Sequence, residues 1–281
     1  MPLSAYYRLL KPRVMGLVIF TGIVGLVIAP GHMSFMKAVI AIFCIAAGSG
    51  AAGALNMWYE RDIDSLMERT KTRPLPQGVI TPFSALVFGL ILAIFSVLVM
   101  SIYINLLAAF YLAFAILFYI GIYTIWLKRR TPQNIVIGGA AGALPPVIGW
   151  AAVMNDTSWF PWALFGIIFL WTPPHFWALS LYHHDDYVKA KIPMLPLTAG
   201  VETTKNQILY YSFVLISLTL VLNFWKDMGI VYAVTSCILG LAFLILAIRL
   251  KFSSSPQDGL RLFFFSIIYL FLLFLAILIN F

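Results

Sequence analysis

The chain has 281 residues, of which 62% are apolar and only 10% charged, and its mean hydropathy is +0.98. Such values lie far outside the range of soluble domains and exclude a water-soluble core with alternating apolar and polar faces. A formal net charge of +8 would point to nucleic acid in a soluble protein; here no nucleic-acid partner is expected, and where the charge lies matters more.

Runs of about 18 or more apolar residues recur along the whole length, the pattern of membrane-spanning helices. They predict an all-α polytopic membrane protein in the lipid bilayer, one integral domain over 1–281, with spans at 14–29, 35–57, 82–100, 103–126, 134–153, 160–182, 207–225, 229–249 and 261–279. The first span follows Arg8, Lys11 and Arg13 and has no small-residue cleavage site after it, so it reads as a retained helix rather than a signal peptide. Cys44 and Cys237 fall inside spans, without metal-type spacing.

The basic residues sort to one side of this array. Arg8, Lys11 and Arg13 precede the first span, and Arg61, Arg69, Lys71 and Arg73 follow the second. Lys128, Arg129 and Arg130 follow the fourth; Lys189, Lys191 and Lys205 follow the sixth; Arg249, Lys251 and Arg261 surround the loop after the eighth. Lys37 and Lys226 lie opposite. The positive-inside rule then places the N-terminus in the cytoplasm and the C-terminus outside. Most of the acids share the basic face, so chemistry is expected at the cytoplasmic mouth. The short outer loops, including the one carrying His32, read as connectors.

At the end of the second span, Asn56, Glu60 and Asp64 recur every four residues. Each step advances about 400° around a helix, which puts an amide and two carboxylates on one stripe. Asp62 falls on the other side, where a neighbouring Arg would pair with it. The stripe reads either as an oxygen-only Mg²⁺ site completed by substrate phosphates, or as a solvated helix end where acids and bases neutralise one another.

After the fourth span, "WLKRRTPQN" places Lys128, Arg129 and Arg130 on the same face. Basic groups beside metal-bound acids are what a diphosphate requires; the plainer reading is anchoring at the membrane surface. "GGAAG" and "AAGSGAAGA" offer small surfaces, for close helix contact or for a bulky ligand. Inside the sixth span, "WTPPHFWAL" carries two prolines expected to break the helical ladder, followed by His175, a candidate ligand-facing group. Just beyond, "LYHHDDYVKAKIPMLP" brings a second acid pair, Asp185 and Asp186. A Mg²⁺ held there, facing the first, would complete a two-metal clamp for a diphosphate leaving group. The adjacent His183 and His184 point in different directions, so at most one of them meets a ligand.

Taken together, the Asn56-xxx-Glu60-xxx-Asp64 stripe with "RTKTRPLPQG", "WLKRRTPQNIVIGGAAGALPPVIGW", "WTPPHFWAL" and "DDYVKAKIPMLP" resembles the protohaem IX farnesyltransferase (haem O synthase) family. That family is a branch of the intramembrane prenyltransferases, which also modify quinone precursors. The likeness runs from Lys11-Pro12 to the end of the second acidic loop, and the last three spans match mainly in hydropathy.

The resemblance implies a ring of nine transmembrane helices around a central cavity, in the bacterial cytoplasmic (inner) membrane. It implies Mg²⁺-dependent transfer of a farnesyl group from farnesyl diphosphate to a vinyl group of haem B, with haem B as substrate rather than cofactor. On this reading Asn56, Glu60 and Asp64 hold one Mg²⁺, and Asp185 with Asp186 the other. Lys128 and Arg129 clasp the diphosphate, Arg73 and Lys11 are further candidates for that task, and His175 and His183 contact substrate. Haem A synthase or a terminal oxidase assembly is the implied associate. Two departures stand out: Glu60 replaces an Asp common in the quinone branch, and Asp185 and Asp186 are adjacent where that branch spaces its acids. The rival readings are a prenyltransferase of quinone precursors and a membrane haem transporter.

Overall fold

The computed structural model describes residues 3–224 and 228–281, so Lys226, assigned above to the outer face, lies outside the described residues. Every regular element among them is helical. In chain order these are α1 (Leu3–Leu9), α2 (Pro12–Val27), α3 (Phe35–Tyr59), α4 (Arg61–Leu66), α5 (Pro82–Tyr103), α6 (Leu106–Leu117), α7 (Asn134–Ala143), α8 (Pro145–Met154), α9 (Trp159–Tyr182), α10 (His184–Lys189), α11 (Leu195–Thr198), α12 (Val201–Val221), α13 (Ile230–Phe252) and α14 (Pro256–Asn280).

Eight helices among the described residues are long and apolar enough to cross a membrane. A ninth crossing appears only when α1 and α2 are taken together, because α2 alone has 16 residues and the pair is bent by 56°. The bend falls at Lys11-Pro12, where proline cannot continue the preceding helix but suits the first turn of the next. Elsewhere the predicted spans and the helices agree closely. The exposed apolar rows, such as Ile91, Ile94, Leu98 and Ile102 on α5 and Ile238, Leu241 and Ile245 on α13, would aggregate in water and suit lipid. This is a multi-pass membrane protein.

Consecutive helices pack side by side, and α14 returns to touch α2, which closes a ring. Small residues pull α2 and α8 together across it. A Cβ on Gly25 would lie 2.1 Å from the Pro146 carbonyl oxygen, and one on Gly149 would lie 2.1 Å from that of Gly22. No side chain fits between those backbones. The small-residue run of α3 serves packing too: Gly50 and Gly53 let the α1–α2 bend sit directly against α3, and that seat carries Lys11 to the end of the second span.

Two local features depart from expectation. Pro173 and Pro174 do not break their helix; α9 runs unbroken through both. Membrane helices tolerate carbonyls that lose their donors to proline, and Trp171 Nε1 ties α9 to the Ser266 carbonyl of α14 at 2.7 Å. The break comes instead at Leu144-Pro145, between α7 and α8. Second, the span begun by α6 continues from Phe118 to Leu127 as a π-helix, wound with i→i+5 hydrogen bonds, a rare form frequent at functional sites.

Candidate active site

α3 ends at Tyr59 and α4 begins at Arg61, with Glu60 between them at φ −90°, ψ 7°. The four-residue ladder survives this junction: the Glu60 amide donates to the Asn56 carbonyl at 2.9 Å, and the Asp64 amide to the Glu60 carbonyl at 2.8 Å. Asn56, Glu60 and Asp64 therefore keep a common stripe, and all three are buried, at 1%, 2% and 2% exposure.

Each meets a cation from a different part of the chain. Lys11 Nζ donates to Asn56 Oδ1 at 2.5 Å. Lys128 Nζ lies 2.6 Å from Glu60 Oε2 and 2.5 Å from Oε1. Arg73 Nη1 reaches both Asp64 oxygens, at 2.9 and 2.7 Å. Lys11 takes up this place in a left-handed conformation, φ 55° and ψ 56°, which is costly for a residue with a Cβ and is typical of functional sites. The two acids thus face three bases in a buried setting. Burial pushes the Glu60 carboxyl pKa up, but Lys128, Lys11 and Arg73 together outweigh it and hold the group below its ordinary range.

The π-helical segment supplies the facing wall. Asn56 Nδ2 donates to Thr124 Oγ1 at 3.0 Å, and four residues further along each segment of the pair, Lys128 meets Glu60. The ammonium of Lys128 also sits 5.5 Å from the centre of the Tyr123 ring. Gly138 of α7 makes room for that ring: a Cβ there would lie 2.2 Å from Tyr123 Cδ2.

The second acidic loop approaches from the far side. Asp186, 6% exposed, accepts the amides of Glu68 at 3.1 Å and Arg69 at 3.4 Å. Arg69 in turn reaches the Tyr187 hydroxyl at 3.3 Å and covers its ring. The segments that follow α3 and α9 therefore meet over the same mouth. The other predicted residues lie around it. Asp185 turns outward, its side chain 95% exposed and 3.6 Å from His184. Arg129 pairs with Asp62 at 2.8 and 2.7 Å outside the buried group, and that hydrogen bond lowers the Asp62 pKa. His183 is partly buried, 3.8 Å from Asp186, and its pKa is lowered by burial and by Arg69.

His175 is buried deeper, stacked between the rings of Trp171 and Phe263 at 4.2 and 4.4 Å. Its Nδ1 lies 2.6 Å from Ser266 Oγ, whose own proton goes to the Phe263 carbonyl. Nδ1 therefore donates, leaving Nε2 as the lone-pair nitrogen. Residues that sequence reasoning passed over include Thr124, Tyr123, Arg69, Tyr187 and Thr70, whose hydroxyl binds the Asp64 carbonyl at 2.9 Å. Thr124 carried one legible sign: it precedes Lys128 by the interval that separates Asn56 from Glu60.

Among the described residues no three His, Cys, Asp or Glu side chains converge on one point. What the stripe offers is two carboxylates and an amide oxygen, a hard all-oxygen set that suits Mg²⁺ completed by water and phosphate. Glu60 Oε1 is buried against the Lys128 ammonium, 2.5 Å away, and as a carboxylate oxygen it keeps a second lone pair for a cation. The residues present fit a Mg²⁺-diphosphate group.

The chain matches the UbiA prenyltransferase family over residues 18–275. It is similar to the protein named protoheme IX farnesyltransferase in Ehrlichia ruminantium, 53% identical over 99% of this chain and 94% of that one. Its likeness to the one from Gluconobacter oxydans is 50%, over 99% and 91%. Among solved structures it resembles a digeranylgeranylglyceryl phosphate synthase (TM-score 0.81, 19% identical, covering 99% of this chain and 98% of that one). It also resembles a UbiA homologue from Archaeoglobus fulgidus bound to DMAPP and Mg²⁺ (TM-score 0.67, 16% identical, covering 97% and 98%). The ring of helices, the buried acid–base group at one mouth and relatives matched along nearly their whole length agree: the chain belongs to the UbiA prenyltransferase family and is a membrane-embedded prenyltransferase.

Proposed function

We propose that this prenyltransferase moves a farnesyl group from farnesyl diphosphate to a vinyl group of haem B, with addition of water, giving haem O and diphosphate. One observation carries the diphosphate half: the buried oxygens of Asn56, Glu60 and Asp64 lie against Lys11, Lys128 and Arg73, so one buried cluster offers ligands for a divalent cation and partners for an anion. The haem half rests on relatives of that name at 53% and 50% identity.

Asn56, Glu60 and Asp64 would hold one Mg²⁺, which when bound supplies Lewis-acid polarisation of the diphosphate oxygens. Lys11, Lys128 and Arg73 then trade their present partners for phosphate oxygens, and this exchange keeps the buried charge balanced. On the α10 side Asp186, buried beside the segment that follows α4, is a better candidate for the second Mg²⁺ than Asp185, which faces outward. Arg129, half exposed, serves at the rim and steers the anion inward. His183 is a substrate contact at the mouth, and His175 is the contact to the haem ring.

With the diphosphate gripped, the C–O bond of the farnesyl ester breaks and its electron pair leaves with the diphosphate. The vinyl π-pair forms the new C–C bond, and water adds to the carbon beside the ring and loses a proton. Burial keeps water from the allylic carbon until the vinyl group attacks. The mouth faces the cytoplasm, in the inner membrane of a bacterium, and the product passes to haem A synthase or a terminal oxidase assembly.

The test uses purified protein in detergent with farnesyl diphosphate, Mg²⁺ and either haem B or a quinone precursor, read by mass spectrometry. The expected product is haem B enlarged by one farnesyl group and one hydroxyl group. Prenylation of the quinone precursor alone, or binding of haem without any product, would overturn the reading.

A further inference from the structure

We infer that Thr124 is a positioning residue: its hydroxyl fixes which end of the Asn56 amide faces Lys11 and the buried acid–base group, and so makes Asn56 an oxygen ligand. The inference rests on the proposed role of Asn56 at a divalent cation and goes beyond it.

The argument is one of hydrogen-bond polarity. An amide side chain has a donor end and an acceptor end of nearly equal shape, so only its partners decide which end points where. A threonine hydroxyl has a single proton. Thr124 spends that proton on the Tyr119 carbonyl, 2.8 Å away, and can then only accept. Asn56 must therefore present its NH₂ to Thr124, as it does at 3.0 Å, which leaves Oδ1 for Lys11. Thr124 is 0% exposed and Asn56 1%, so no bulk water competes for either bond.

The π-helix is what makes this polarity fixed. In the α-helices here, buried hydroxyls reach back three or four residues, as Thr172 does to Ile168 and Ser212 to Ile208. Thr124 reaches back five, to Tyr119, in the π-helical stretch where the Lys128 amide likewise bonds Tyr123 five residues behind. The same wide turn sets Thr124 against Asn56 and Lys128 against Glu60. Lys11 also favours the present amide orientation, but it is the group a cation must displace from Oδ1. From then on the hydroxyl alone holds the amide against rotation.

Mn²⁺ binding to the protein in detergent, followed by electron paramagnetic resonance, tests this without turnover. Asn56→Ala is the reference and should weaken Mn²⁺ binding. Removing the hydroxyl in Thr124→Val should weaken it by about tenfold or more, the range seen when groups that orient a metal ligand are lost. Thr124→Ser should restore it. In an Asn56→Asp background Thr124→Val should cost little, because a carboxylate presents oxygen whichever way it turns; a purely structural role would cost the same in both backgrounds. Thr124→Ala carries the same expectations if the valine variant does not fold. Should Asn56→Ala weaken binding while neither hydroxyl-free variant does, the positioning role is wrong and the ligand assignment stands. Should Asn56→Ala leave Mn²⁺ binding unchanged, Asn56 is no ligand and the inference falls with that assignment.

Discussion

Replacing Glu60 by Gln removes one charge from a buried group of two acids and three bases, while shape is nearly preserved. Breaking a buried ion pair by deleting one partner costs roughly 3–5 kcal/mol when the other is left stranded. Here the cost is smaller. The glutamine oxygen still accepts a bond, the Lys128 side chain is 13% exposed and can turn toward water, and Asp64 stays beside the remaining cations. We expect about 2 kcal/mol, which corresponds to a drop of roughly 4–8 °C in the thermal midpoint.

The sharper expectation concerns the ligand. A cation present at a hundred times its dissociation constant stabilises the folded state by about 2.7 kcal/mol. Mg²⁺ with diphosphate should therefore raise the wild-type midpoint by somewhat more than the substitution lowers it, and should leave Glu60→Gln almost unmoved. Thermal unfolding in detergent, with and without Mg²⁺ and diphosphate, gives both numbers, and product formation on the same samples should fall by at least three orders of magnitude. An equal Mg²⁺-induced rise in the variant would refute Glu60 as a ligand, and unchanged turnover would refute its role in the reaction.

Other outcomes follow from the same geometry. Asp186→Asn should lose about 1.5–3 kcal/mol by weakening the charged acceptor for the Glu68 and Arg69 amides, whereas Asp185→Ala should leave stability and turnover close to wild type. Thermal melts and product assays of the pair separate the two neighbours. Gly138→Ala drives a methyl into the Tyr123 ring and should destabilise by about 1–3 kcal/mol, with a loss of activity as Lys128 is displaced; a silent substitution would show that the ring is free to move. The folded pKa of Glu60 lies below its ordinary 4.5, so its contribution is complete above that value and is lost as pH falls through the folded one. The wild-type midpoint should thus fall more steeply on acidification below about pH 4.5 than that of Glu60→Gln.

How much of this was legible depended on whether the pattern was periodic. The spans were plain from apolar run length, and Asn56, Glu60 and Asp64 from their spacing, because both follow from one helix considered alone. Proline chemistry read locally misled: Pro173 and Pro174 are absorbed by the packing around α9, and the pairs Lys11-Pro12 and Leu144-Pro145 mark the actual breaks. The π-helix left no compositional sign, since "FYIGIYTIWL" is as apolar as an α-helical span, and Thr124 went unnoticed with it. Which of Asp185 and Asp186 turns inward depends on where the distant amides of Glu68 and Arg69 come to rest. No spacing rule encodes that. Nor could the sequence pair Arg129 with Asp62 and leave Lys128 for Glu60, because adjacent basic residues differ only in the direction the last turn of the π-helix gives them.

The most direct test is an experimental structure with Mg²⁺ and a non-reactive thio analogue of farnesyl diphosphate. The account predicts a Mg²⁺ about 2.0–2.1 Å from oxygens of Asn56, Glu60 and Asp64, with Lys11, Lys128 and Arg73 swung from their present partners onto the diphosphate. A diphosphate bound elsewhere, with those three ion pairs and hydrogen bonds still closed, would contradict it.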